Sequence, residues 1–169
     1  MRLHQVIRIF AALGLVMAAS AQSQAVPAMA DEGVVASATG SGHYTSGGEL
    51  RTFAVSAVKR SDGSVSGEYQ VRSRAGAGAV FHVGVTCMSV VGNQAWVAGI
   101  IEQSDDPAVI VGSVSYFRAV DNGQGAEQPD QVSPARINDQ PGEDIRFCTE
   151  RPTGLPLRLV EHGNLQINE

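Results

Sequence analysis

The fold is decided by the stretch between residues 81 and 100, which reads FHVGVTCMSVVGNQAWVAGI. From Phe81 to Cys87, every second position holds an apolar residue or cysteine. This is the period of a strand with one face in a core. Gly92 and Asn93 then interrupt the pattern, and such a pair suits the two-residue turn that joins hairpin strands. The stretch therefore predicts an antiparallel β-hairpin.

The position of this turn also fixes the register of the hairpin. It places Cys87 opposite Ala98, and by the same count Val85 lies opposite Ile100. Opposed residues share one side of a sheet. We therefore expect Trp96, Ala98 and Ile100 to lie on the face that Val85 and Cys87 already occupy, which places Cys87 in the core.

The rest of the chain after Gly40 repeats this pattern of short strands and turns. Residues 64–72 alternate between apolar and polar, and a loop at residues 60–63 precedes them. Residues 109–121 read as one long strand, and no segment shows a helical period with end caps. The sequence therefore predicts an all-β fold, a small antiparallel up-and-down barrel whose closure removes exposed edges. A β-sandwich is the alternative.

The first 25 residues have the pattern of a signal peptide. Arg2 and Arg8 precede an apolar run over residues 9–19, and small residues ending at Ala21 and at Ala25 offer two cleavage sites. The run is shorter than the roughly 20 residues of a membrane span. We predict a signal peptide over residues 1–25, a flexible lead-in over 26–39 and a single β-domain over 40–169. The product would be secreted or periplasmic, with no transmembrane segment after signal removal.

Charge narrows the classes of partner. The chain has 12 Lys and Arg against 17 Asp and Glu. Arg2 and Arg8 leave with the signal peptide, so 10 basic residues remain and the mature net charge is −7. Nucleic-acid binding needs a basic face, so we expect no nucleic-acid partner. No cofactor motif is present in the sequence, and we predict no cofactor.

Two cysteines remain after signal removal, Cys87 and Cys148. In an oxidising compartment their simplest state is a disulfide. It would close a loop of about 60 residues and stabilise the fold by about 4 kcal/mol. Two free thiols are the alternative.

Other polar residues give candidate sites, each with a plainer explanation. Asp121, Asn122 and Asp130 are candidates for calcium because oxygen ligands suit that ion, although the same residues favour ordinary turns. An enzyme would need His43, His82 or His162 beside a carboxylate in one cleft. We place His82 on the face opposite the core, where a histidine is usually solvated.

Ligand binding has three candidates. A barrel can carry a small apolar ligand in a cavity, here lined by Val85, Trp96 and Ile100. Tyr44 and Tyr116 are the aromatic residues we expect to be exposed. Arg72 and Arg74 could hold an anion. We expect a non-catalytic exported domain acting in binding or cell-surface interaction; the alternatives are a carrier barrel and an enzyme with a site on the loop over residues 122–144.

Several turn and strand motifs run through the mature chain. They are Gly40-Ser41-Gly42-His43, Leu50-Arg51-Thr52-Phe53, Asp62-Gly63-Ser64-Val65-Ser66-Gly67, Val85-Thr86-Cys87, Val91-Gly92-Asn93-Gln94-Ala95-Trp96, Val120-Asp121-Asn122-Gly123, Pro129-Asp130-Gln131-Val132-Ser133, Phe147-Cys148 and Gly163-Asn164-Leu165-Gln166. Together they resemble a group of uncharacterised exported bacterial all-β proteins. The resemblance implies a fold and no activity.

Overall fold

The computed structural model describes residues 33–74, 78–124 and 127–169, and these form one curled antiparallel sheet with a short helix on its outer face. The predicted signal peptide lies outside the described residues. The first strand takes in residues 34–39 of the region that we predicted as lead-in. The elements are β1 (Val34–Ser46), β2 (Glu49–Arg60), β3 (Val65–Ser73), β4 (Val80–Val91), β5 (Gln94–Ser104), β6 (Val114–Val120), β7 (Gln131–Val132), β8 (Arg136–Asn138), α1 (Glu143–Glu150), β9 (Arg158–Leu159) and β10 (His162–Asn168).

The strands follow an up-and-down order, β10-β1-β2-β3-β4-β5-β6-β7-β9, with β8 paired to β6. This confirms the predicted all-β, barrel-like fold. The predicted turn at Gly92 and Asn93 joins β4 to β5, and Gly92 takes a φ of 57° that glycine adopts without strain. β6 begins at Val114, so the predicted strand over residues 109–121 is too long. Residues 105–113 form a loop instead.

Two aspartates join the edges of the curled sheet. The amides of Leu165 and Ile167 on β10 point away from β1. Asp130 Oδ2 accepts the Leu165 amide at 2.7 Å, and Asp121 Oδ2 accepts the Ile167 amide at 2.9 Å. An unpaired strand edge is a liability in a sheet. The two carboxylates accept hydrogen bonds from these edge amides, which no neighbouring strand pairs.

A β-bulge at Thr86 changes the side on which Cys87 lies. The register of β4 and β5 matches the prediction at Cys87 and Ala98, but beyond the bulge Val85 pairs with Gly99 instead of Ile100. The prediction that Val85 and Cys87 lie on the same face of the sheet is therefore wrong. An extra residue in one strand reverses the alternation of its side chains.

Apolar residues consequently form two separate clusters. The interior of the curled sheet holds the larger cluster, which includes Val83, Val85 and Val97. The smaller cluster lies between the outer face of the sheet and α1. Its members are Cys87, Trp96, Ala98, Phe147 and Cys148, with Tyr116 and Leu155 packed against them. The cysteines form a disulfide pair with their Cα atoms 6.3 Å apart, which ties α1 to β4.

Helix α1 was not predicted from the sequence. It has only eight residues, and its N-cap, Gly142, makes no side-chain capping bond. Packing holds it in place: Phe147 and Cys148 are buried, and Thr86 Oγ1 donates to Asp144 Oδ2 at 2.6 Å. Within the described ranges no helix is long and apolar enough to cross a membrane.

Candidate functional site: a pocket at the mouth of the curled sheet

The interior of the sheet is filled by side chains. A cavity between Tyr44, Tyr69 and Phe117 has a volume of only about 10 Å³, about the least that one water molecule needs. The cavity predicted for an apolar ligand is not formed, because Trp96 lies under α1 and Ile100 alternates with the inward Ile101. Larger cavities lie at one end of the sheet and on its outer face.

One end of the curled sheet opens into a cavity of about 330 Å³, which we call the mouth pocket. The start of β2, the end of β3 and the start of β4 form one wall, and the loop over residues 105–113 and β8 form the other. Six of its ten described lining residues are apolar and three are charged. The described lining residues are Glu49, Arg51, Val71, Ser73, Ala79, Phe81, Asp106, Val109, Ala135 and Ile137.

Arg51 is the basic group of the mouth pocket. It lies directly opposite Tyr44 across β1 and β2, and the Tyr44 side chain is only 1% exposed. Burial raises the pKa of the Tyr44 phenol, while the charge and hydrogen bond of Arg51 act in the opposite direction. Arg51 Nη2 reaches Glu49 Oε2 at 3.4 Å, but its buried Nε has no hydrogen-bond partner among the described residues. The guanidinium therefore has donor capacity left for another group.

A second tyrosine lies below the mouth pocket. Tyr69 is 2% exposed and packs edge-on against Phe117, with ring centroids 4.9 Å apart. Burial raises the pKa of its phenol, and the nearby Ser115 hydroxyl acts in the opposite direction. The hydroxyls of Tyr69 and Ser115 are both buried, and neither completes a hydrogen bond of good geometry within the described structure. Unsatisfied buried polar groups are rare in proteins. Two such hydroxyls below the mouth pocket are therefore an unusual feature of this end of the sheet.

The loop over residues 105–113 is fixed against the sheet at the mouth. Asp105 Oδ1 accepts the Val80 amide at the start of β4. Asp106 Oδ1 accepts the Ala108 amide at 2.9 Å, and Ser113 Oγ donates to Asp139 Oδ1 at 2.6 Å. These bonds hold Val109 in the pocket wall. The next two residues, Ile110 and Val111, are 62% and 56% exposed, so the rim is apolar.

The three histidines do not share one cleft, and His82 lines a surface cavity of about 260 Å³ together with Glu68. His43 and His162 are cross-strand partners on β1 and β10, while His82 lies on β4 opposite Gln70. The described residues form two ion pairs, and neither of them includes a histidine.

The calcium candidates bind backbone amides in this structure. Asp121 Oδ1 accepts the Gly123 amide and Asp130 Oδ1 accepts the Asn122 amide, so each carboxylate uses both oxygens once the bonds to β10 are included. No group of three or more Asp, Glu, His or Cys placed to hold a metal occurs in the described part of the chain. Calcium binding stays a prediction from the sequence.

Among the remaining binding candidates, Tyr44 departs from expectation. Tyr44 is buried, so its predicted exposure is wrong; it is an inner-face residue of β1. Tyr116 is half-buried against Phe147, with ring centroids 4.5 Å apart. Arg72 donates to the Gly78 carbonyl at 3.1 Å, and Arg74 is exposed.

Sequence reasoning missed Arg51, although a signal for it exists. Phe53, Val55 and Ala57 on β2 are inward residues at alternate positions, and Arg51 continues that series. A charged residue at an inward position is uncommon without a partner or a role. The series therefore indicates that Arg51 faces the interior of the sheet near the start of β2.

The fold and pocket define a barrel-like all-β domain with a cavity at one mouth. In comparisons with protein-family models, curated proteins and solved structures, the chain matches none of them.

Proposed function

We propose that this protein is a non-catalytic binding domain whose mouth pocket takes a small molecule with an apolar body and a carboxylate. One observation carries the proposal: Arg51, whose buried Nε makes no hydrogen bond to a described residue, lines a cavity in which six of the ten described lining residues are apolar. Arginine suits this task because its planar guanidinium stays charged and offers a carboxylate several donors in fixed directions.

The size and lining of the mouth pocket support a ligand of this kind. Its volume of about 330 Å³ falls at the lower end of the usual range for small-molecule sites, roughly 300–1,000 Å³. Val71, Phe81 and Ile137 offer apolar surface for the body of the ligand. Such sites typically combine apolar walls with a few polar groups that fix the orientation of the ligand.

Two acids line the same pocket, and neither accepts a hydrogen bond from the Nε of Arg51. Glu49 lies toward solvent with its side chain 45% exposed, and it contacts only Nη2 of Arg51. Asp106 uses Oδ1 to hold the turn at Ala108. Arg51 reaches deeper than either acid, to the phenol of Tyr44. A carboxylate can therefore replace Glu49 at the guanidinium while Glu49 turns to water.

The test uses octanoate and its neutral counterpart 1-octanol as probes, with binding to the untagged protein followed by calorimetry. We expect octanoate to bind more tightly than 1-octanol. Arg51→Gln should weaken octanoate binding by about tenfold or more, because a hydrogen bond to a charged group contributes about 1.5–3 kcal/mol. The binding of 1-octanol should change little.

Arg72→Gln is the matched control, since Arg72 lies on the neighbouring strand with its side chain exposed. It should bind octanoate like the parent protein, and Arg51→Lys should retain part of the affinity. Equal octanoate affinity in the parent protein and Arg51→Gln would overturn the proposal. So would equal affinity of the parent protein for octanoate and 1-octanol.

We also propose that the domain acts outside the cytoplasm. The signal-peptide pattern of residues 1–25 and the cysteine pair at disulfide distance support export. Expression of the full chain in a bacterial host should give a processed protein in the periplasmic fraction or the medium. Its intact mass should correspond to a chain beginning at Gln22 or Val26. An unprocessed chain beginning at Met1 and retained in the cytoplasm would refute export.

A further inference from the structure

Two histidines form a cross-strand pair on the outer face of the sheet, away from the mouth pocket. His43 on β1 lies directly opposite His162 on β10, and their ring centroids are 6.0 Å apart with the planes nearly perpendicular. His43 is half-buried and His162 is exposed, so solvent and ions can reach the pair.

The distance is close to that of a two-imidazole metal site. Metal ions such as Zn²⁺ bind imidazole nitrogen at about 2.0–2.1 Å, which with a tetrahedral angle puts the two ring centroids about 5 Å apart. The observed 6.0 Å therefore requires a shift of only about 1 Å. A rotation of the exposed His162 side chain would supply it.

The backbone beside the pair is held tightly. Gly42 and Gly163 are the next cross-strand partners. Gly163 has a φ of 143°, and a Cβ on it would collide with the Ser41 carbonyl. The absence of side chains there lets β1 and β10 approach closely, which holds the backbone of the two histidines in a defined register. A pre-positioned pair loses less entropy when it binds an ion.

The chemistry of the surrounding groove selects the class of ion. The pair lines a groove of about 400 Å³ with Ser41, Thr52 and Gln70, and the described lining includes no carboxylate. Arg74 is the charged residue of the described lining, and it is exposed. Calcium and magnesium prefer carboxylate and carbonyl oxygens, whereas imidazole suits zinc, copper and nickel.

We propose that His43 and His162 bind a divalent transition-metal ion, each through one imidazole nitrogen. Water completes the coordination, since two protein ligands leave the remaining positions open. The ion would join the edge strand β10 to β1 from the outside. This site is independent of the mouth pocket, which lies on the other face of the sheet.

Calorimetric titration of the untagged full chain with Ni²⁺ tests the site. His43→Gln and His162→Gln should each weaken this binding by more than about tenfold, the scale on which even outer-shell partners matter. His82→Gln is the control, because His82 lies on the same face but on β4. It should bind Ni²⁺ like the parent protein. His4 is present in every variant and cannot produce the difference.

Paramagnetic broadening by Ni²⁺ in the parent protein gives a second measurement that requires no variant. The amide signals of Gly42 and Gly163 should broaden first, while those near His82 stay sharp. Undetectable Ni²⁺ binding, affinity that survives both single substitutions, or equal loss in His82→Gln would overturn the proposal. Arg51→Gln should leave Ni²⁺ binding unchanged, which separates this site from the mouth pocket.

Discussion

Replacing both Cys87 and Cys148 by alanine is expected to lower the free energy of unfolding by about 4 kcal/mol, the chain-entropy effect of a long loop. The two cysteines are 61 residues apart in sequence. Both side chains are also buried in the outer cluster beside Trp96 and Phe147. The cross-link therefore restrains the unfolded chain and also fixes α1 and its following segment to the sheet.

Urea unfolding of the parent protein and the double variant measures this effect. The parent protein with reductant should lose a similar amount of stability, which separates the cross-link from packing changes caused by alanine. Mass analysis should show a gain of two hydrogens on reduction. Equal unfolding midpoints with and without reductant, or two free thiols in the untreated protein, would contradict the expectation.

Asp130→Ala is expected to lower the free energy of unfolding by about 3 kcal/mol, because buried donors lose a charged acceptor. Asp130 is 7% exposed, and its two oxygens accept the amides of Asn122 and Leu165. Alanine offers no acceptor, so the Leu165 amide at the edge of β10 would lose its partner. The contacts between β10 and the β6–β7 region, which we call the seam, would weaken first.

Thermal or urea unfolding tests this prediction, with Glu161→Ala as the matched control. Glu161 is exposed and close to the same seam, so its removal should change stability by less than about 0.5 kcal/mol. Hydrogen exchange should also accelerate at Leu165 and Ile167 in Asp130→Ala. Similar stability of the two variants would show that the carboxylate does not hold the seam.

The sequence predicts the strand order well because the signals for it are local. The turn at Gly92 and Asn93 fixes the hairpin between β4 and β5, and short loops make sequential strands neighbours. It does not predict the bulge at Thr86, which no residue type in that stretch requires. An alternating pattern can place residues on a face only while the alternation continues.

The outer face of β5, which α1 covers, could have been recognised in the sequence by a pattern other than alternation. All residues from Ala95 to Gly99 are buried, without the polar positions expected on a wet face. Continuous apolar runs are typical of strands buried on both sides. Here α1 supplies the second cover, and its eight residues are too short and too weakly capped to be recognised in isolation.

The candidate sites depend on contacts between residues distant in sequence. Asp130 and Leu165 are 35 residues apart, so a local motif cannot reveal that this carboxylate joins two sheet edges. Arg51 is different, since its position in the inward series of β2 is visible in the sequence. Only the structure shows that the interior beside it is filled and that the open space lies at the mouth.

The central claim is that the mouth pocket binds an apolar carboxylate, and a nitrogen-15 NMR titration of the parent protein with octanoate tests it most directly. The largest amide shifts should cluster around Arg51, Val71, Phe81, Val109 and Ile137, which line the pocket. The Arg51 Nε signal should move with them. Shifts confined to the outer face around His82, or no shifts at millimolar octanoate, would contradict the account.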